Sequence, residues 1–136
     1  VCPASCAGEL KGDVRPIAPG QKLQVGQVTI EAVPAYNLAK PHHPQKAGNV
    51  GYIVEVGGRR IYHGGDTDLI PEMDEFSCEV ALIPMGGKYT MNAEEAAQAL
   101  RLAQERNEEW DNDPRFNDGD DPDDDEGGSA FDALKP

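Results

Sequence analysis

Between Lys22 and His63 the chain is written as two hairpins, and this pattern constrains the fold more than any other feature. Apolar and polar residues alternate at Leu23 and Val25, then at Val28, Ile30 and Ala32, with Gly26 between the two runs. A strand over Val50–Val56 follows, and Gly57-Gly58 turns the chain into a partner strand, Arg59–His63. Period-two alternation broken by glycine predicts antiparallel strands with one face toward a core. The Pro-rich stretch 34–48 between the hairpins reads as a long functional loop. Residues 1–20, with Pro3, Pro16, Pro19, Gly8, Gly12 and Gly20, read as loop with one short element at most. A short helix is expected within 69–76. The apolar run Val80-Ala81-Leu82-Ile83 reads as a strand buried on both faces.

One helix is well signalled. Asn92 is a good N-cap, and Glu95 three residues later can reach back to it, as in a capping box. Ala93, Ala96, Ala97, Leu100 and Ala103 then follow helical spacing. The fold class is therefore α+β, a β-rich body with one main helix at 1–110. From Asp111 the chain is mostly Asp, Gly, Asn and Pro, a composition that cannot offset the entropy of ordering. Residues 111–136 are expected to be a disordered acidic tail.

Charge sharpens this division. Residues 1–104 hold 9 basic and 12 acidic residues, whereas 105–136 hold 3 and 13. A nearly neutral body and an acidic tail argue against nucleic acid or an anionic membrane surface as partners, because both need clustered Lys and Arg. No run reaches the roughly 18 apolar residues of a membrane span. Cys2, Cys6 and Cys78 fit reduced thiols in a cytoplasmic protein better than a disulfide or zinc framework. In the tail, Asp121, Asp123, Asp125 and Asp132 fall at positions 1, 3, 5 and 12 of a calcium loop. Glu126 stands where that loop needs Gly, so a solvated acidic face is the better reading.

The residues that can do chemistry lie where strands run out into loops. Asp66 follows two glycines at a strand end. Its carboxylate can point into a cleft and hold a cation, or it can cap its own turn. His42 and His43 are adjacent, so their side chains are expected to diverge; either can be a ligand or an exposed loop residue. His63 can be a satisfied core histidine or part of the site. No H-x-H or H-E-x-x-H spacing is present, and three His with one Asp do not furnish a two-metal site.

The motifs Val33-Pro-Ala-Tyr-Asn37, His42-His-Pro44, Ile61-Tyr-His-Gly-Gly-Asp-Thr-Asp68 and Ala81-Leu-Ile-Pro-Met-Gly-Gly-Lys-Tyr-Thr-Met-Asn-Ala-Glu-Glu-Ala-Ala97 occur in this order. The string resembles metal-dependent hydrolases of the metallo-β-lactamase superfamily, of the UlaG-like branch, from about Val14 to Leu102. The resemblance implies part of an αββα sandwich with a two-metal site, zinc or manganese, at one edge. There an activated water attacks an ester, amide, lactone or phosphodiester of a small-molecule substrate. It makes Asp66 the bridging carboxylate and His43 or His42 the candidate imidazole ligand, with His43 preferred and His42 placed beside it at the cleft. His63 and Thr67 become supporting residues, and Lys88, Tyr89 and Thr90 shape the cleft. The family's H-x-H-x-D-H motif and its final ligand histidine have no counterpart in this sequence. The chain is thus expected to be an incomplete copy, inactive alone. The alternatives are a non-catalytic module that pairs with a protein partner supplying the other half or presents its acidic tail, and a broken gene or partial record. Missing strands would leave apolar faces exposed.

Overall fold

The computed structural model describes residues 1–105. The tail at 111–136, with its expected disorder and calcium-loop spacing, lies outside them. Five strands form one sheet in sequence order: β1 (Lys22–Val25), β2 (Val28–Pro34), β3 (Val50–Val56), β4 (Arg59–His63) and β5 (Val80–Leu82). The first four are antiparallel neighbours, and β5 joins β4 in parallel. Both hairpins form as the alternation predicts. Their turns use Gly26, Gly57 and Gly58 at positive φ, where a side chain would be strained.

This strand polarity decides where loops gather. β2, β4 and β5 run in the same direction, so the loops that follow them leave the same end of the sheet. Those loops hold His42 and His43, Asp66, and Tyr89 and Thr90 respectively. A 3-10 turn at Pro71–Glu75, in the stretch where a short helix is expected, lies between β4 and β5.

The register sorts side chains onto two faces. One row runs Ile53, Tyr62, Ala81 across β3, β4 and β5. Together with Val33, Met73, Phe76 and Met91 it packs beneath the single helix, α1 (Ala93–Glu105). Asn92 caps α1 as expected: Glu95 N–H donates to Asn92 Oδ1 and Asn92 N–H donates to Glu95 Oε2, both at 2.9 Å. The helix buries Ala96, Ala99 and Ala103, whereas Leu100 is exposed. The expected stripe is therefore rotated toward Ala99. The small alanines bring the helix close to the sheet, and Leu100 falls off the contact line.

The opposite face carries Ile30, Val54, Ile61 and Val80 in one row and Ala32, Tyr52, His63 and Leu82 in the next. Ile17 packs there with Leu23, Ala32, Val50 and Tyr52, so the cover reaches from β1 to the start of β3 and leaves β5 open. Val80 is 44% exposed and Leu82 51%. The expectation that Val80–Leu82 is buried on both faces is thus corrected. Among the described residues β5 pairs only with β4, and only Ala81 turns toward the helix. Apolarity in a run cannot say whether a covering layer is present. His63 is likewise exposed and is not a core histidine.

Cys2, Cys6 and Cys78 form no disulfide among the described residues. Cys78 is buried, and burial raises its thiol pKa. No helix among the described residues is long and apolar enough to cross a membrane.

Candidate metal centre at one end of the sheet

The loop after β4 owes its path to two glycines. A Cβ on Gly51 would lie 2.8 Å from the His63 carbonyl oxygen and 2.9 Å from that of Gly64. Only glycine lets β3 pass so closely beneath this turn. Gly65 has φ +64°, the left-handed region, and lies against the Val50 carbonyl. The chain thereby turns sharply off the sheet, and Asp66 is delivered with a side chain 61% exposed. Thr67 goes the other way. It is fully buried, and its hydroxyl accepts from Tyr36 N–H at 3.2 Å and faces the carbonyls of Tyr36 and Asp68. Thr67 therefore fastens the loop to the one after β2, and Asp66 does not fasten its own bend.

His43 meets Asp66. Its Nε2 lies 3.4 Å from Asp66 Oδ2. Among the described residues His43 is the only non-glycine at positive φ, at 49°. That conformation costs an L-residue roughly 1–2 kcal/mol. The contact with Asp66 does not repay it, since 3.4 Å is too long for a good hydrogen bond and contacts between exposed polar groups are weak. The pair has the right chemistry and spacing for a shared cation. An imidazole nitrogen and a carboxylate oxygen bind zinc at about 2.0–2.2 Å, and 3.4 Å is the edge of a tetrahedron with such arms. Among the described residues no three His, Cys, Asp or Glu gather as a metal-binding group. The fit is therefore to two corners of a coordination shell.

Around this pair lies a cavity of about 570 Å³ lined by His42, His43, Asp66, Pro84, Gly86, Tyr89 and Thr90. His42 packs edge-on against Tyr89, with ring centroids 4.8 Å apart. The two histidines diverge as neighbours should, their rings 6.5 Å apart. Thr90 Oγ1 accepts from Gly86 N–H at 3.0 Å and closes the loop after β5. Lys88 lines neither this cavity nor the next; its ammonium sits 5.0 Å from the centre of the Tyr89 ring. A second cleft of about 540 Å³, lined by His63, Gly65, Asp66 and 81–84, shares Asp66 and Pro84 with the first. Asp66 thus stands where the two meet. His63 Nδ1 accepts from Gly65 N–H at 3.1 Å, so the neutral ring carries its proton on Nε2.

Three residues that the sequence does not single out complete the arrangement. Asp68 is 5% exposed. It accepts from Leu38 N–H at 3.0 Å and is ion-paired with Lys40. Lys40 also donates to the Thr90 carbonyl at 3.1 Å, and Asn37 Nδ2 donates to the Tyr89 carbonyl at 3.0 Å. The only signal was that Asn37 and Asp68 fall inside the quoted motifs and Lys40 in the loop between two of them, because partners 28 to 52 residues apart leave no trace in local spacing. Nearby, Tyr36 donates its hydroxyl proton to Glu72 at 2.9 Å. Burial, followed by the Glu72 carboxylate, raises the pKa of that phenol.

The chain is similar to known proteins. A UPF0173 metal-dependent hydrolase from Pyrococcus furiosus is 38% identical over 88 residues, which cover 61% of this chain and 39% of the relative. Among solved structures, a protein from Parabacteroides distasonis described as a metal-dependent hydrolase superposes with a TM-score of 0.67 at 32% identity, covering 74% of this chain and 47% of the other. Another, from Thermotoga maritima, is described as a zinc-dependent hydrolase of the metallo-beta-lactamase superfamily. It superposes with a TM-score of 0.55 at 27% identity, covering 70% and 47%. The chain thus spans less than half the length of these relatives. The family model described as a beta-lactamase superfamily domain matches residues 5–106, so the chain belongs to the beta-lactamase superfamily and carries part of the metallo-β-lactamase fold.

Proposed function

We propose that this chain supplies one side of the metal centre of a hydrolase, with Asp66 and His43 as the ligands. The observation that carries this reading is the approach of His43 Nε2 to Asp66 Oδ2 at 3.4 Å, with His43 itself in a left-handed backbone conformation. A bound divalent cation, zinc or manganese, would supply a water acidic enough at neutral pH to attack an ester, amide, lactone or phosphodiester. The chain's own residues do the rest. Asp66 offers a carboxylate reachable from both clefts, and it can serve as the shared ligand of two ions. His43 offers an imidazole held in place by its loop. His42 and Tyr89 form an aromatic wall against which a small-molecule substrate can lie. His63, as the Nε2–H tautomer, offers a hydrogen-bond donor at the second cleft. Thr67 and Thr90 hold their loops rather than touching substrate.

Two donors do not make a tight site, so the remaining ligands come from outside the described residues, and the chain alone is inactive. Titration calorimetry of this 136-residue chain with Zn²⁺ tests the reading. Binding weaker than micromolar, abolished by Asp66→Ala and reduced by His43→Ala, is expected. Stoichiometric sub-micromolar binding would show that the shell closes within the chain. Equal binding by Asp66→Ala would remove the site.

One observation favours a second reading, a module that pairs with a subunit carrying the other half. Val80 and Leu82 lie exposed on a sheet face that no described residue covers there. Sedimentation separates the readings: a stable, monodisperse monomer speaks against an obligate partner.

A further inference from the structure

The three loops of the candidate centre have one point in common. Lys40 belongs to the loop after β2, Asp68 to the loop after β4, and the Thr90 carbonyl to the loop after β5. The Lys40 ammonium binds both of the others. The Asp68 carboxylate turns its second oxygen to Leu38 N–H, so the loop after β2 is gripped through backbone and side chain together. Asp68 N–H donates to the Tyr36 carbonyl at 2.9 Å, and Asn37 N–H donates to the His43 carbonyl at 2.9 Å. Position 37–43 is therefore a closed loop with Lys40 at its middle, and His43 is fixed where that loop closes.

We propose that Lys40 and Asp68 are a positioning pair: one partly buried ion pair locks the three loops together and so fixes His43 against Asp66. Lys40 lies three residues from His43, and Asp68 lies two from Asp66. The distance between the two candidate ligands is therefore set by a contact that involves neither. The charge state makes the lock specific. A buried carboxylate with one amide partner is costly unless a cation reaches it, and Lys40 is the cation that does. The ammonium has three protons to share, which lets it hold Asp68 and the Thr90 carbonyl at once.

This inference rests on the proposed metal centre, but its test has an arm that does not. Amide hydrogen exchange is measured at Asn37, in the loop after β2, and at Gly87, whose N–H donates to Met91 in the loop after β5. Lys40→Met should speed exchange at both positions by at least tenfold together, while amides of the β2–β3 ladder change by less than twofold. Lys40→Arg should restore both to within about threefold of the parent. Independent responses of the two loops, unchanged exchange, or failure of Lys40→Arg to recover would overturn the proposal. Should Lys40→Met fail to fold, Asp68→Asn is read by the same criteria, since it keeps an acceptor for Leu38 and loses the ionic grip. In the second arm, Mn²⁺ is added and paramagnetic broadening of His43 and Asp66 is followed. Lys40→Met should require at least fivefold more Mn²⁺ for the same broadening. Absence of broadening in the parent chain would sink the metal reading, and the exchange arm would still decide the positioning pair.

Discussion

The two ends of the sheet are made from the same kinds of residue and behave as opposites. At one end, Gly26 and Gly57-Gly58 close the hairpins, and a Cβ on any of them would meet nothing within 4 Å. At the other end the loops after β2, β4 and β5 are stitched by Thr67, Asp68, Lys40 and Asn37, and Gly51 has backbone oxygens where a methyl would go. Glycine at the first end serves the turn alone. At the second it admits one piece of backbone beneath another. The difference teaches that a Gly- and Asp-rich loop carries a site when side chains bind it from several directions.

Substitutions at the two ends measure that contrast. The largest effect is expected at Gly51→Ala, where the new carbon would collide with the carbonyls of His63 and Gly64. Backbone cannot rotate away like a side chain, so a loss of about 3 kcal/mol is expected in urea unfolding. A loss below about 1 kcal/mol would mean that the two ends are alike. Thr67→Val comes next. It leaves the buried Tyr36 N–H without an acceptor and should cost about 2 kcal/mol. At the plain end, Gly58→Ala forces a side chain to φ +77° with open space around it, so only the conformational strain of about 1 kcal/mol should appear. A cost there equal to that at Gly51 would erase the comparison.

The smallest effect is expected beside the stitched end, at Tyr62→Phe. The Tyr62 hydroxyl is buried and lacks a hydrogen-bond partner among the described residues. Its removal should be neutral or stabilise by up to about 1 kcal/mol. The pH dependence sharpens this. Burial holds the Tyr62 phenol well above its ordinary pKa of 10.0. The unfolded chain releases that proton above pH 10 and the folded chain keeps it. Stability is therefore flat below pH 10 with respect to this group and falls as pH rises beyond it. Tyr62→Phe should make the alkaline fall shallower, and an unchanged limb would mean that the hydroxyl reaches solvent.

Much of this fold was legible from local pattern. The hairpins follow from alternation and glycine turns, and the Asn92–Glu95 cap follows from a spacing of three. Both depend on neighbours a few residues apart. The reading failed where long-range context decides. The apolar run Val80–Leu82 looked buried on both faces, but its exposure depends on which layers cover the sheet. Leu100 looked like core, but the close approach of Ala96 and Ala99 left it outside. Asp66 was legible as a strand-end carboxylate. His43 was legible as its candidate partner; what was not legible was how closely the two approach, or that Lys40 and Asp68 join across 28 residues.

The crossing at Gly51 has a further bearing on how such a scaffold diversifies. The rim side chains can be exchanged for new specificities, because each hangs from a loop that others brace. The crossing beneath the turn, too close for a Cβ, admits no such exchange, since the loop that carries Asp66 leaves the sheet directly over it. A designer seeking new chemistry on this frame would vary positions 42, 63 and 89 freely and leave position 51 alone.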